Sequence, residues 1–148
     1  MKNSIKVIIL SLGLIIGLPA FANTPTNVFA TCLVDNLNGK ERKNLAKWIY
    51  LAMAAHPEIK SLSSANSNDI QKSDKYIGKL ITKLLTINCP TELNKATKSN
   101  PNALEQGFGL VGKVAMQELM TNKKVTKALE NYIEYTDLEK IKKITNKK

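Results

Sequence analysis

The chain has 148 residues, 22 lysines and arginines against 12 aspartates and glutamates, and a formal net charge of +10. That length suits one domain with a single core. Arg42 is the only arginine, His56 the only histidine, and Cys32 and Cys89 the only cysteines; this argues against a histidine-rich metal site and against the guanidinium forks that read nucleic acid, so no nucleic-acid partner is expected.

Residues 1–22 read as a secretory signal peptide. Lys2 and Lys6 form a positive n-region, residues 7–18 an apolar run too short to span a bilayer, and Ala20-Phe21-Ala22 a small-residue cleavage site after Pro19. Cleavage is expected between Ala22 and Asn23, leaving one exported domain, residues 23–148, with a net charge of about +8. No cysteine stands at the cleavage point, so no lipid anchor is expected there. The periplasm is the expected compartment, with full secretion as the alternative. No second long apolar run follows, so no transmembrane segment is expected after cleavage.

Helical periodicity runs through the rest of the chain, without strand signals. A first helix is predicted over 28–37, with Phe29, Cys32, Leu33 and Leu37 on one face. Asn38 with Glu41 three residues on makes a capping box for a second helix reaching Ala55. Its second half, from Trp48 to Ala55, is apolar on nearly every side, which predicts the buried central helix of the core. His56-Pro57 ends it, with His56 expected to bond the last carbonyls of that helix.

The Ser- and Asn-rich stretch 61–68 is a predicted loop. Asn68 with Gln71 makes a second capping box for a third helix, 69–87. Ile70, Ile77, Leu80, Ile81, Leu84 and Leu85 share one face of it, and Lys72, Lys75, Lys79 and Lys83 the other. Cys89-Pro90 opens a short fourth helix with proline in its tolerated first position. A fifth is predicted over 100–120 and a sixth over 123–135, with Val125, Leu129, Tyr132 and Ile133 inward. Thr136 and Glu139 cap a last helix bearing Leu138, Ile141 and Ile144, and Lys147-Lys148 is expected to fray. The expected fold is all-α: a compact bundle of about five main helices plus short extras.

An even cysteine count in an exported chain points to a Cys32–Cys89 disulfide, the alternatives being free thiols or a thiol ligand pair. The closed loop of about 58 residues would stabilise the fold by roughly 4 kcal/mol. It would tie the first helix to the junction of the third and fourth.

Residues 107–112 match G-x-G-x-x-G, but no strand precedes them, and the dinucleotide fingerprint needs one. The better reading is steric: Gly109, Gly112 and Ala115 let another helix approach closely, offsetting about 1 kcal/mol per helical glycine. The lone histidine has no second imidazole for a metal and no triad partners. The carboxylates sit in caps or among lysines rather than as a glycosidase pair. No catalytic residue, metal site or cofactor is therefore expected. The distinctive surface features are two basic clusters, Lys40, Arg42, Lys43 and Lys47 on the second helix and Lys72, Lys75, Lys79 and Lys83 on the third. Solvation explains either cluster. Basic groups in a first helical turn oppose the dipole, however, so Lys40, Arg42 and Lys43 are also compatible with an acidic partner docking there.

In outline, through Cys32, Cys89-Pro90 and the helical pattern, the chain resembles small periplasmic immunity proteins and periplasmic acid-stress chaperones. The first likeness implies a non-catalytic inhibitor with an acidic protein partner. The second implies loss of packing near pH 2–3 with apolar surface exposed. Association with an anionic envelope surface, lipid or peptidoglycan, is a third expectation. A homodimer would cover any surplus apolar helix face.

Overall fold

The computed structural model describes residues 23–145; the leader, its cleavage point and the expected fraying of Lys147-Lys148 lie outside them. The described residues form helices and turns with no strand. In chain order these are α1 (Pro25–Asp35), α2 (Gly39–Met53), α3 (Pro57–Lys60), α4 (Ser67–Lys83), a π-turn (Leu84–Asn88), α5 (Pro90–Ser99), α6 (Ala103–Met120), α7 (Lys123–Glu130), a 3₁₀ turn (Asn131–Tyr135) and α8 (Leu138–Thr145).

Helix α1 begins three residues earlier than the periodicity predicts. Thr24 Oγ1 accepts the Asn27 amide at 3.2 Å and Pro25 takes the first turn, a complete N-terminal signal in its own right. The capping box of α2 forms as read: Asn38 Oδ1 accepts the Glu41 amide at 3.0 Å, and Glu41 Oε2 accepts the Asn38 amide at 2.9 Å. The box of α4 lies two residues upstream of the predicted one. Asn66, not Asn68, is the cap, accepting from Asn68 and Asp69 amides, and Asp69 rather than Gln71 reaches back. An ionised carboxylate is the better partner for the positive end of a helix than an amide.

His56 also differs from its predicted role. It caps the start of α3, with Nδ1 accepting the Glu58 amide at 3.3 Å. Pro57 sets the first turn of a new helix, so the imidazole meets free amides rather than the last carbonyls of α2.

The core is centred on α1, not on the second half of α2. Phe29 and Leu33 are fully buried, and α1 packs on α5, α6 and the π-turn. Helix α2 packs on α4 and α6. Leu45, Ala46 and Leu51 are buried, but Tyr50 and Met53 are nearly half exposed. Two neighbours leave the third side of a helix to solvent, however apolar its sequence.

The Cys32–Cys89 disulfide is present, with a Cα–Cα distance of 6.1 Å across a sequence separation of 57. The predicted third helix does not reach it as an α-helix. After Lys83 the chain widens into the π-turn, where the Cys89 amide donates to the Leu84 carbonyl at 2.9 Å. In an α-helix, positions five apart point about 140° away from each other. The wider turn lets Leu84 and Cys89 both be buried, and so delivers Cys89 to α1.

The predicted close approach at Gly109 and Gly112 is not the one that forms. A Cβ at either would meet nothing within 4 Å, whereas a Cβ at Gly107 would lie 2.8 Å from Phe29 Cε1. Gly107 is where α6 crosses α1; Ala115, the third residue of the proposed stripe, is buried. The sixth predicted helix also departs from expectation: Val125 is half-buried, but Leu129, Tyr132 and Ile133, expected inward, are exposed. Leu138, Ile141 and Ile144 of the last helix are exposed as well. Helices α1, α2, α4, α5 and α6 close the core on one another, and of the last helices only α7 makes more than marginal contact with them, through α6. Asp137, rather than Thr136, caps α8, accepting the Lys140 amide at 3.1 Å.

Candidate binding surface

Helices α2 and α4 run antiparallel and are pinned at two points. Near the middle, Trp48 Nε1 donates to Asp74 Oδ1 at 2.9 Å. At the far end, Lys83 Nζ donates to Glu41 Oε1 at 2.7 Å. Glu41 is only 8% exposed. Burial pushes its carboxyl upward, but the Lys83 hydrogen bond, the Asn38 amide and the Lys83 charge outweigh that and hold it below the ordinary carboxylate value. The capping residue of α2 is thus also the anchor of α4.

A shallow groove in two parts runs along this helix pair. Asn44, Lys47, Asp69, Lys72, Ser73 and Tyr76 line one part of it. Glu41, Tyr76, Lys79, Leu80 and Lys83 line the next. Lys47 of the first basic cluster and Lys72, Lys79 and Lys83 of the second therefore share one surface, although Lys47 and Lys72 are 25 residues apart in sequence, and the Tyr76 ring belongs to both parts.

The eight basic residues divide into three sets. Lys47, Lys72, Lys79 and Lys83 line the groove. Arg42 and Lys43 turn instead toward α6, where Glu118 lies 3.7 Å from Arg42 Nε and 4.0 Å from Lys43 Nζ. Arg42 also donates to the Leu37 carbonyl at 3.1 Å. The unfavourable charge in the first turn of α2 thus has a partner inside the protein. Lys40 and Lys75 are exposed and line neither part of the groove. Among the described residues no ion pair forms at Lys40, Lys47, Lys72, Lys75 or Lys79.

Tyr76 and Asn44 are groove residues that charge counting misses. Tyr76 stands four residues after Lys72 and three before Lys79, the spacing that makes helical neighbours, and this was the available signal. The G-x-G-x-x-G segment lies wholly inside α6. Among the described residues no group of three or more His, Cys, Asp or Glu is placed to hold a metal ion, and no helix is long and apolar enough to cross a membrane. The groove offers four ammonium groups, amide and hydroxyl donors and one aromatic face, with the carboxylates of Asp69 and Glu41 also in its lining. Asp69 is engaged by the Asn66 amide and Glu41 by the Asn38 amide and Lys83, so Lys47, Lys72 and Lys79 remain to bind carboxylates on an extended or helical segment. Comparison of the chain with protein-family models, curated proteins and solved structures finds no match in any of the three.

Proposed function

We propose that this is a non-catalytic binding protein whose α2–α4 groove takes an acidic segment of a protein partner, working in the periplasm after export. An inhibitor or immunity role against an envelope-directed toxin is the sharpest form of that reading. The observation that carries it is the convergence of Lys47, Lys72 and Lys79, none of them in an ion pair among the described residues, around Tyr76 in one groove. Three ammonium groups held on two pinned helices give a preorganised positive surface, which favours both the rate and the specificity of docking.

The test is crosslinking of the tagged protein in its own cells, followed by capture and mass spectrometry, run in parallel on wild type and on a Lys47→Glu/Lys72→Glu/Lys79→Glu variant. The expected result is one near-stoichiometric partner with an acidic contact segment. Its recovery falls with added salt and is lost in the variant. Capture unchanged by the variant, or no stoichiometric partner, refutes the proposal.

A further inference from the structure

Residues 123–145 carry a second set of exposed apolar residues, apart from the groove. Leu129, Tyr132, Ile133, Leu138, Ile141 and Ile144 are between 43% and 74% exposed, although five of the six are residues that normally fill cores. They are not scattered. Val125 and Leu129 repeat at helical spacing on α7 and continue through Tyr132 and Ile133, and Leu138, Ile141 and Ile144 repeat on α8. The charged residues among the remaining positions are Lys123, Lys124, Lys127, Lys140, Lys142 and Lys143 with Glu130, Glu134, Asp137 and Glu139. Two of those lysines are matched locally, Lys140 by Asp137 at 2.9 Å and Lys142 by Glu139 at 2.8 Å. Among the described residues Lys123, Lys124, Lys127 and Lys143 form no ion pair. Six lysines against four acids leave the segment positive.

We propose that α7, the 3₁₀ turn and α8 form an interfacial anchor that lies on an anionic phospholipid bilayer, with the apolar stripes among the acyl chains and the lysines among the headgroups. Short basic amphipathic helices take this position because water leaves the apolar stripe unsatisfied and anionic headgroups attract the ammonium groups. Tyr132 and Tyr135 supply aromatic rings whose hydroxyls suit the headgroup level. Charge decides against a second copy of the chain as the occupant. Two such segments face to face would bring two surfaces of net positive charge together, within a protein of net charge +10. The anchor is distinct from the α2–α4 groove and does not depend on its having a partner.

The test is flotation of the protein purified from the exporting cells, its N-terminus established by mass. Mixed phosphatidylethanolamine–phosphatidylglycerol vesicles are compared with phosphatidylcholine vesicles. Wild type is expected to float with the anionic vesicles only. Leu138→Asp/Ile141→Asp should weaken that partitioning by at least about tenfold, while Lys72→Glu/Lys79→Glu on α4 should retain it. Because the substituted residues are exposed, the variant should melt as wild type does. As a second readout, Tyr132→Trp in a Trp48→Phe background should shift its emission to the blue on anionic vesicles. Equal binding to both vesicle types, equal binding by the α8 variant, or an unshifted emission from the Tyr132→Trp protein overturns the proposal. So does a dimer on size exclusion that the α8 variant abolishes in the absence of vesicle binding; that outcome assigns the surface to a second copy.

Discussion

Alanine at Gly107 and at Gly109 should have opposite effects, although the two glycines are two residues apart in the same helix. Replacing a helical glycine by alanine gains up to about 1 kcal/mol from backbone entropy at either site. At Gly109 the new methyl meets nothing within 4 Å, so Gly109→Ala should stabilise by that amount. At Gly107 the Cβ would stand 2.8 Å from Phe29 Cε1, 3.0 Å from its Cδ1 and 3.3 Å from Leu33 Cδ1. Both neighbours are fully buried, and a ring packed on all sides cannot swing away from a new methyl. Overpacking of this kind costs about 1–3 kcal/mol, so Gly107→Ala should fall that far below Gly109→Ala. The assay is equilibrium unfolding in urea. The two midpoints should separate by about 1 M with the same slope. Phe29→Leu should relieve part of the strain, so a double-mutant cycle with Gly107→Ala should give a favourable coupling of at least about 0.5 kcal/mol. Equal midpoints for the two glycine variants, or no coupling to Phe29, would refute the close α1–α6 contact.

Four further outcomes follow from the same geometry. Removing the disulfide as Cys32→Ala/Cys89→Ala should destabilise the fold by about 2–4 kcal/mol, read in the same urea titration. Lys83→Met strands the buried Glu41 carboxylate and should cost about 1–3 kcal/mol at neutral pH; a loss confined to the few tenths of an exposed pair would show that Glu41 is better hydrated than its burial implies. The Glu41 carboxyl titrates below the ordinary 4.5, so its stabilisation is fully present above that value and is lost as pH falls through the lowered folded value. Wild type should therefore exceed Glu41→Gln in melting temperature at pH 7, and the gap should close on acidification below 4.5. Truncation after Asn122 should leave the stability of the main body within about 1 kcal/mol, because no described residue beyond it is buried; a large loss by circular dichroism would place α7 and α8 in the core after all.

The caps and the cysteines were the most legible features. Asn38 and Glu41 carry their capping geometry in a four-residue pattern, so local sequence was enough for the start of α2. The predicted box at Asn68 shows the boundary of that method. Residues 66–71 hold two overlapping candidates, and the helix starts at the one with the carboxylate. The basic residues were legible as charge but not as a site. Nothing in the helical spacing of Lys40 to Lys47 distinguishes Lys43, which faces Glu118 on α6, from Lys47, which faces Lys72 on α4. That division depends on which helices flank α2, and neighbours distant in sequence are not written in the periodicity of one helix.

The same distinction holds for the molecule as a whole. By itself the sequence determined the all-α class, the disulfide pairing and the starts of α2, α5 and α7, because backbone hydrogen bonding, proline and end-capping act over a few residues and two cysteines allow one intrachain pair. Only the tertiary structure decided which apolar faces meet. It put α1 rather than α2 at the centre, Gly107 rather than Gly112 at the close contact, and Leu129, Ile133, Leu138 and Ile141 outside. Periodicity measures how apolar a face is, whereas burial requires a second face to cover it. Here α1, α2, α4, α5 and α6 cover one another, and Leu129, Ile133, Leu138 and Ile141 have no second face over them.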